Sequence, residues 1–330
     1  MSQPTVTLHP MWHNYPNIQI QLEAVLDRIT QNIQTSDDAV QRALVETFQS
    51  GGKLLRPAFT ILIASFNEVK DHEALIQLAA TVEMLHAASL IHDDIIDDSP
   101  TRRHVPSFQA RFGKDVAVYA GDILFALTFR ALADYTDDIQ MIRKMTRYLE
   151  TILNGELTQR VNHYNLAMTI DNYKEQIAGK TAALFELSAQ LGLSASRPTA
   201  DFANKALSFA NNVGMAFQIL DDILDYTSDD TKLGKPALHD IREGVYTAPL
   251  ILTMQNHQGI SELLAKRETI TDDELRTIKT LVVADGGVEK AQSLALQYTE
   301  QAMSDLDNLP DHESKDILIG ISQLLLARED

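Results

Sequence analysis

The chain has 330 residues, a formal net charge of −18 and no cysteine. The missing cysteine excludes disulfides, thiolate nucleophiles, iron–sulfur clusters and cysteine zinc sites, and the negative charge argues against nucleic acid or an anionic membrane as a main partner. Only 14 Gly and 10 Pro, beside 45% hydrophobic residues, favour a helical chain with a large buried core.

Helical periodicity recurs almost throughout, and alternating strand patterns are scarce. The opening residues 1–17 lack the basic and apolar regions of a signal peptide, and no stretch holds ~18 unbroken apolar residues, so a cytoplasmic protein without a membrane span is expected. Amphipathic helices are predicted over 18–33 and 38–49. Gly51-Gly52 breaks the second, and a third starts near Arg56-Pro57, where Pro suits a first turn. Residues 76–97 are apolar on nearly every side, as in a helix buried in the middle of a bundle. Residues 98–113, with Pro100 and Pro106, read as a loop. Helices follow over 116–135, 141–161, 173–191 and 201–225. Residues 227–249 hold Gly234, Pro236 and Gly244 and read as a long loop with a short helix at most, a length that marks a lid or binding loop. Thr271 to Glu274 form a capping box, and helices over 288–306 and 315–327 close the chain. No linker or composition break interrupts this order, so residues 1–330 are expected to form a single all-α domain.

Two of these helices end alike, one in Asp93-Asp94-Ile95-Ile96-Asp97 and the other in Asp221-Asp222-Ile223-Leu224-Asp225. Aspartate is a poor helix former, and like charges at i and i+4 repel. Such an ending is uphill unless a cation is expected. A helix places Asp93 and Asp97 ~40° apart on one face, with Asp94 turned aside, and the same holds for Asp221 and Asp225. Acidic helix ends are ordinarily solvated faces. Here both boxes follow apolar helices and both carry aliphatic inner positions, which favours paired carboxylate faces turned toward each other around Mg2+, a metal that takes one or two carboxylates plus substrate phosphates.

Cations stand beside these boxes. Gly51-Gly52-Lys53 and Arg56 sit on a break between helices, where backbone N–H groups and two cations could hold a diphosphate. Arg102-Arg103 follow the first box, Lys180-Thr181 lie inside a helix, Lys235 lies in the loop after the second box, and His86 is two turns upstream of Asp93. Singly each has an ordinary structural explanation; together they suit phosphorylated substrates, with Mg2+ and local cations reversing the overall negative charge.

The segments GGKLLRP (51–57), EMLHAASLIHDDIID (83–97), TRR (101–103), GD (121–122), GKTAALFE (179–186), and FQILDDILDYT with GKP (217–236) resemble the trans-polyprenyl diphosphate synthases, with the bacterial long-chain and heptaprenyl-type catalytic subunits as the nearest pattern. The resemblance spans residues 45–250, and it implies an all-α, single-domain helical bundle of the isoprenoid synthase type with a central active-site cavity. It further implies that Asp93 and Asp97 hold two Mg2+ ions on an allylic diphosphate and Asp221 a third, with Asp94, Asp222 and Asp225 in support. Arg102, Lys180 and Lys235 would contact that diphosphate; Gly52, Lys53, Arg56, His86 and Arg103 would hold isopentenyl diphosphate; Thr181 and Gln218 would turn oxygen dipoles toward the developing allylic cation. A homodimer, or a heterodimer with a small subunit, is expected.

The chain departs from the family pattern at His104 and Leu238, where Gly is usual, at Val245, where many members carry Lys, and at Leu54, where Arg is common. Losing Gly puts the local loop conformation in question, since Gly often serves φ > 0. A class I terpene cyclase would also ionise an allylic diphosphate but needs no second diphosphate site, against which Lys53, Arg56 and Arg103 argue. A non-catalytic subunit of a heteromeric synthase would tend to lose its Asp boxes. Ala88 and Ser89, about one turn before Asp93, are expected to face the pocket; short-chain members of the family place an aromatic ring there, so the resemblance implies an open floor and products of roughly C30 to C40, with Phe125 and Phe129 as candidates either for a deeper stop or for an ordinary core role.

Overall fold

The structure, a computed structural model, describes residues 8–49, 51–102, 105–136, 138–227, 238–254 and 257–327. It is 80% helical, and its contacts divide the chain into two compact units.

The first unit comprises residues 1–146, 187–203 and 311–318. Helix α1 (Pro16–Asn32) has Pro at its first turn and buries Ile18, Leu22, Val25, Leu26 and Ile29 along one stripe. In α2 (Asp38–Gln49) the Asp37 carboxylate caps the start by accepting from the N–H groups of Ala39 and Val40. Helix α3 (Leu55–Ser65) is buried on nearly all sides. Helix α4 (His72–Ile96) starts on the Asp71 side chain, packs against α1 and α3, and ends in the first Asp box. The predicted loop over 98–113 is more ordered than expected. Thr101–Arg102 (β1) pairs antiparallel with Val105–Pro106 (β2), and Ser107 caps a short α5 (Phe108–Phe112). Helix α6 (Lys114–Ala133) then packs along α4. Both α4 and α6 reach the length and mean hydropathy of a membrane span despite having no unbroken apolar run, and 78% of that window in α4 but 44% in α6 is buried within the protein.

The second unit comprises residues 147–186, 204–310 and 319–330. Helices α7 (Ile139–Val161), α9 (Ala183–Ser196), α10 (Ala200–Thr227) and α16 (Glu313–Ala327) each contribute residues to both units. Helix α8 (Ile170–Ile177) opens on a reciprocal Thr169–Asn172 cap and runs into a π-helical turn, Ala178–Ala182, before α9. The sequence reading of one helix over 173–191 misses that turn, because no side-chain periodicity distinguishes one widened turn from α-helix. Within the long loop predicted over 227–249, residues 228–237 lie outside the described residues; α11 (His239–Arg242) is the short helix expected there. Leu238 adopts φ 62°, the conformation for which Gly is usual. Helices α12 (Ala248–Met254), α13 (Gln258–Leu264), α14 (Asp272–Ala284) and α15 (Gly287–Asp307) complete the unit around a core that includes Ile219, Leu250, Ile251, Ile278 and Ala291. The Thr271–Glu274 capping box forms with both of its hydrogen bonds.

Candidate active site

The first Asp box spans the last turn of α4. Asp94, the middle aspartate, is buried, and its carboxylate accepts a fork from Arg102: Nε to Oδ1 at 2.9 Å and to Oδ2 at 3.2 Å, and Nη2 to Oδ1 at 2.5 Å. The planar guanidinium suits that two-oxygen grip. Gln109 on α5 binds the same turn through its amide, donating to the carbonyls of Asp94 (2.6 Å) and Ser99 (3.0 Å). Asp93 is half-buried, and Asp97 is the exposed C-cap, its N–H bonded to the Asp93 carbonyl at 2.8 Å. Arg102, expected on a diphosphate, is thus seated on Asp94. Arg103 and His104 lie outside the described residues.

Beside this turn the first unit holds a cavity of ≈ 160 Å³, about ten times what one ordered water needs. Gly51, Gly52, His86, Asp94, Arg102 and Arg111 are among its lining residues. Four of the expected site residues therefore meet there. Lys53, exposed, and Arg56, half-buried, adjoin it in sequence but do not line it. The Lys53 carbonyl accepts a 2.8 Å hydrogen bond from the indole N–H of Trp12. Ala87 lines the cavity, whereas Ala88 is wholly buried in the packing of α4 and the Ser89 hydroxyl bonds to the His86 carbonyl at 2.8 Å. Successive helical residues point ~100° apart, and this cavity meets α4 at His86, Ala87, Leu90, Ile91 and Asp94. The GD pair on α6 has a local role: a Cβ at Gly121 would meet the His92 ring at 2.5 Å, and Asp122 Oδ1 lies 3.3 Å from His92 Nε2. Phe125 packs against that same ring, with centroids 5.3 Å apart and the planes tilted by 31°.

The second box, on α10, repeats the division. Asp222 is buried; Tyr173 donates its hydroxyl to Oδ2 at 2.6 Å, and Gln218 Nε2 donates to Oδ1 at 2.8 Å. With its amide nitrogen so engaged, Gln218 turns Oε1 to the Thr181 hydroxyl at 2.6 Å. Burial holds the Asp222 carboxyl well above the usual range, against the lowering effect of these two hydrogen bonds, and Asp240 and Asp221 push it further up. Asp221 is exposed and Asp225 half-buried. Lys180 lies in the π turn with its ammonium 3.0 Å from Glu156 Oε2 of α7. The turn sits tight against that helix: a Cβ on Gly155 would meet the Lys180 backbone nitrogen at 2.5 Å. Lys235 lies outside the described residues.

Trp12, Tyr173, Gln109 and Glu156 each touch a predicted site residue, and none is singled out by the sequence. A buried hydroxyl or indole is a legible signal only in part: Tyr173 stands one heptad before Lys180, and Trp12 is the only tryptophan in the chain.

A family model described as Polyprenyl synthetase matches residues 37–282. The chain belongs to that family. Heptaprenyl diphosphate synthase component 2 of Geobacillus stearothermophilus is 30% identical over 316 residues, 96% of this chain and 98% of that protein. Other curated relatives bear the names nonaprenyl and decaprenyl diphosphate synthase. Among solved structures, geranylgeranyl pyrophosphate synthase from Lactobacillus brevis matches with a TM-score of 0.92 at 35% identity, covering 97% of this chain and 99% of that one. Polyprenyl synthase from Caulobacter crescentus, complexed with calcium and isoprenyl diphosphate, matches with a TM-score of 0.88 at 28% identity over 100% of both chains. As a member of the family the chain is a trans-prenyltransferase with the helical isoprenoid synthase fold. The family uses divalent metal, and prenyl diphosphates are its implied substrates.

Proposed function

We propose that residues 1–330 act as one Mg2+-dependent synthase domain, condensing isopentenyl diphosphate head-to-tail with an allylic diphosphate to give a medium- or long-chain trans-polyprenyl diphosphate. The observation that carries this reading is the division of labour inside each Asp box. The middle aspartate is buried on protein donors, and the i, i+4 pair on either side is more open to solvent.

The donor set fits Mg2+. Asp93 with Asp97 and Asp221 with Asp225 are all-oxygen pairs spaced i, i+4 on their helices. Magnesium binds in this way, through one or two carboxylates with substrate phosphates completing its shell. When bound, as three ions, it would supply charge stabilisation to the departing diphosphate. Asp94 and Asp222, whose oxygens are occupied by Arg102, Tyr173 and Gln218, act as anchors of their helix ends.

The remaining roles belong to the chain itself. Gly52, Lys53, Arg56, His86 and Arg103 hold isopentenyl diphosphate, and Arg102, Lys180 and Lys235 meet the allylic diphosphate, Arg102 from its seat on Asp94 and Lys180 by exchanging Glu156 for phosphate oxygens. The Thr181 hydroxyl and the Gln218 amide, aligned by Asp222, present oxygen dipoles to the allylic carbon as its bond ionises. No protein nucleophile is required, and positioning supplies much of the rate. A product beyond geranylgeranyl length is favoured by the small residues Ala87, Ala88 and Ser89 and by the heptaprenyl to decaprenyl names of relatives. A cytoplasmic homodimer, or a pair with a small subunit as the name of the Geobacillus relative suggests, completes the proposal.

The test is incubation of the purified chain with labelled isopentenyl diphosphate, an allylic diphosphate and Mg2+. Labelled polyprenyl diphosphates that vanish with a chelator are expected. Allylic diphosphate consumed without isopentenyl diphosphate would point instead to a cyclase.

A further inference from the structure

The turn between α2 and α3 carries Gly52 and Lys53. Gly51 has φ 89° and Leu54, the N-cap of α3, has φ 48° with no side-chain cap. A left-handed leucine is strained and persists only where its surroundings impose it. A long-range bond reaches this backbone from 41 residues upstream: Trp12, wholly buried, donates its indole N–H to the Lys53 carbonyl, the peptide unit that leads into Leu54. Nearby on the same segment, burial and then the charge of the Lys53 ammonium hold the His9 imidazole below its usual range.

We propose that Trp12 is a positioning residue for the isopentenyl diphosphate site, fixing through its N–H the backbone of the turn that presents Gly52 and Lys53. This rests on the assignment of that turn to isopentenyl diphosphate made above. Indole is a donor only, so phenylalanine keeps most of the buried bulk and deletes the one interaction at issue. A loosened turn must be ordered afresh at each binding event, which weakens binding without altering the bond-making step.

In the full-length enzyme, Trp12→Phe is expected to raise the KM for isopentenyl diphosphate by about five- to tenfold, with kcat and the allylic KM within about twofold of wild type. An unchanged KM, or equal rises in both KM values, overturns the inference. Should Trp12→Phe fail to fold, the wild type decides: its single tryptophan is expected to change emission saturably as isopentenyl diphosphate alone is added, and a flat titration overturns the proposal. Wild-type enzyme that consumes no isopentenyl diphosphate defeats the functional reading itself, whereas an active wild type matched by Trp12→Phe defeats only the role of Trp12.

Discussion

Tyr173 donates its hydroxyl to Asp222 Oδ2 at 2.6 Å, joining α8 to the middle of the second Asp box across 49 residues of sequence. Both side chains are buried, so this bond and the one from Gln218 decide how the box is oriented. Tyr173→Phe leaves a buried carboxyl oxygen without its donor. Unfolding free energy should fall by about 1–3 kcal/mol, and kcat by roughly tenfold as Gln218 loses its alignment. Denaturant titration with steady-state kinetics checks both; an unchanged kcat would detach Tyr173 from the chemistry.

The outer and middle aspartates should respond differently to substitution. Asp93→Ala or Asp221→Ala should reduce turnover by roughly 10²–10⁴-fold through lost stabilisation of the leaving diphosphate, while the metal-free protein keeps its thermal midpoint or gains slightly from relieved repulsion. Asp94→Ala should instead destabilise the fold, because the Arg102 guanidinium loses the buried carboxylate that holds it, while the Gln109 bond to the backbone carbonyl at position 94 survives. Near-normal activity of Asp93→Ala at saturating Mg2+ would remove the metal assignment.

Product length should depend on the stem of α4. Ala88 has no exposed surface, so Ala88→Phe forces a ring into close packing at a cost of about 1–3 kcal/mol. If the growing chain runs beside this face, the variant makes shorter products than wild type while still consuming both substrates. Chromatography of dephosphorylated products tests this, and an unaltered distribution in a folded variant places the tunnel elsewhere.

A pH dependence of stability follows at the start of α14. The Lys266 ammonium, and then the Thr271 backbone N–H, draw the Glu274 carboxyl down from 4.5 to about 2. A carboxyl depressed in the folded state contributes fully above its unfolded value and loses that contribution as pH falls through the folded one. Glu274→Gln should therefore melt below wild type at neutral pH, with the difference shrinking between pH 4.5 and 2. The pair is solvent-exposed, so salt should shrink the difference as well. A gap that is constant with pH would assign the effect to the capping geometry alone.

Long, strongly periodic helices were legible in the sequence: α2 is found over the predicted residues, and the others shift by a few residues at their ends. The loss of Gly at Leu238 left the loop conformation there open in the sequence, and the backbone keeps the left-handed conformation despite the leucine side chain. Partnerships were less legible. Arg102 and Lys180 read as substrate cations, yet each also has a carboxylate partner, Asp94 or Glu156, whose nearness depends on how the chain folds back. Helix spacing set the middle aspartate of each box aside from the outer pair, but did not show what receives it: Arg102 and Tyr173 come from other elements, β1 and α8, and only Gln218, one turn before Asp222 on α10, was within reach of a helical reading. The π turn left no mark at all, since it alters hydrogen-bond register without altering residue type.

The contact between Gly155 and the π turn divides the second unit into stiff and soft parts. Main chain meets main chain there, with no side-chain torsion between them to absorb a displacement. The root of Lys180 is thereby pinned to α7, the helix that also carries its partner Glu156. Any movement of the ammonium away from Glu156 then falls to the flexible methylene stem of Lys180, a hinge of four carbons mounted on a fixed post, and widening the post by one methyl, as Gly155→Ala would, moves the hinge before any charge has changed.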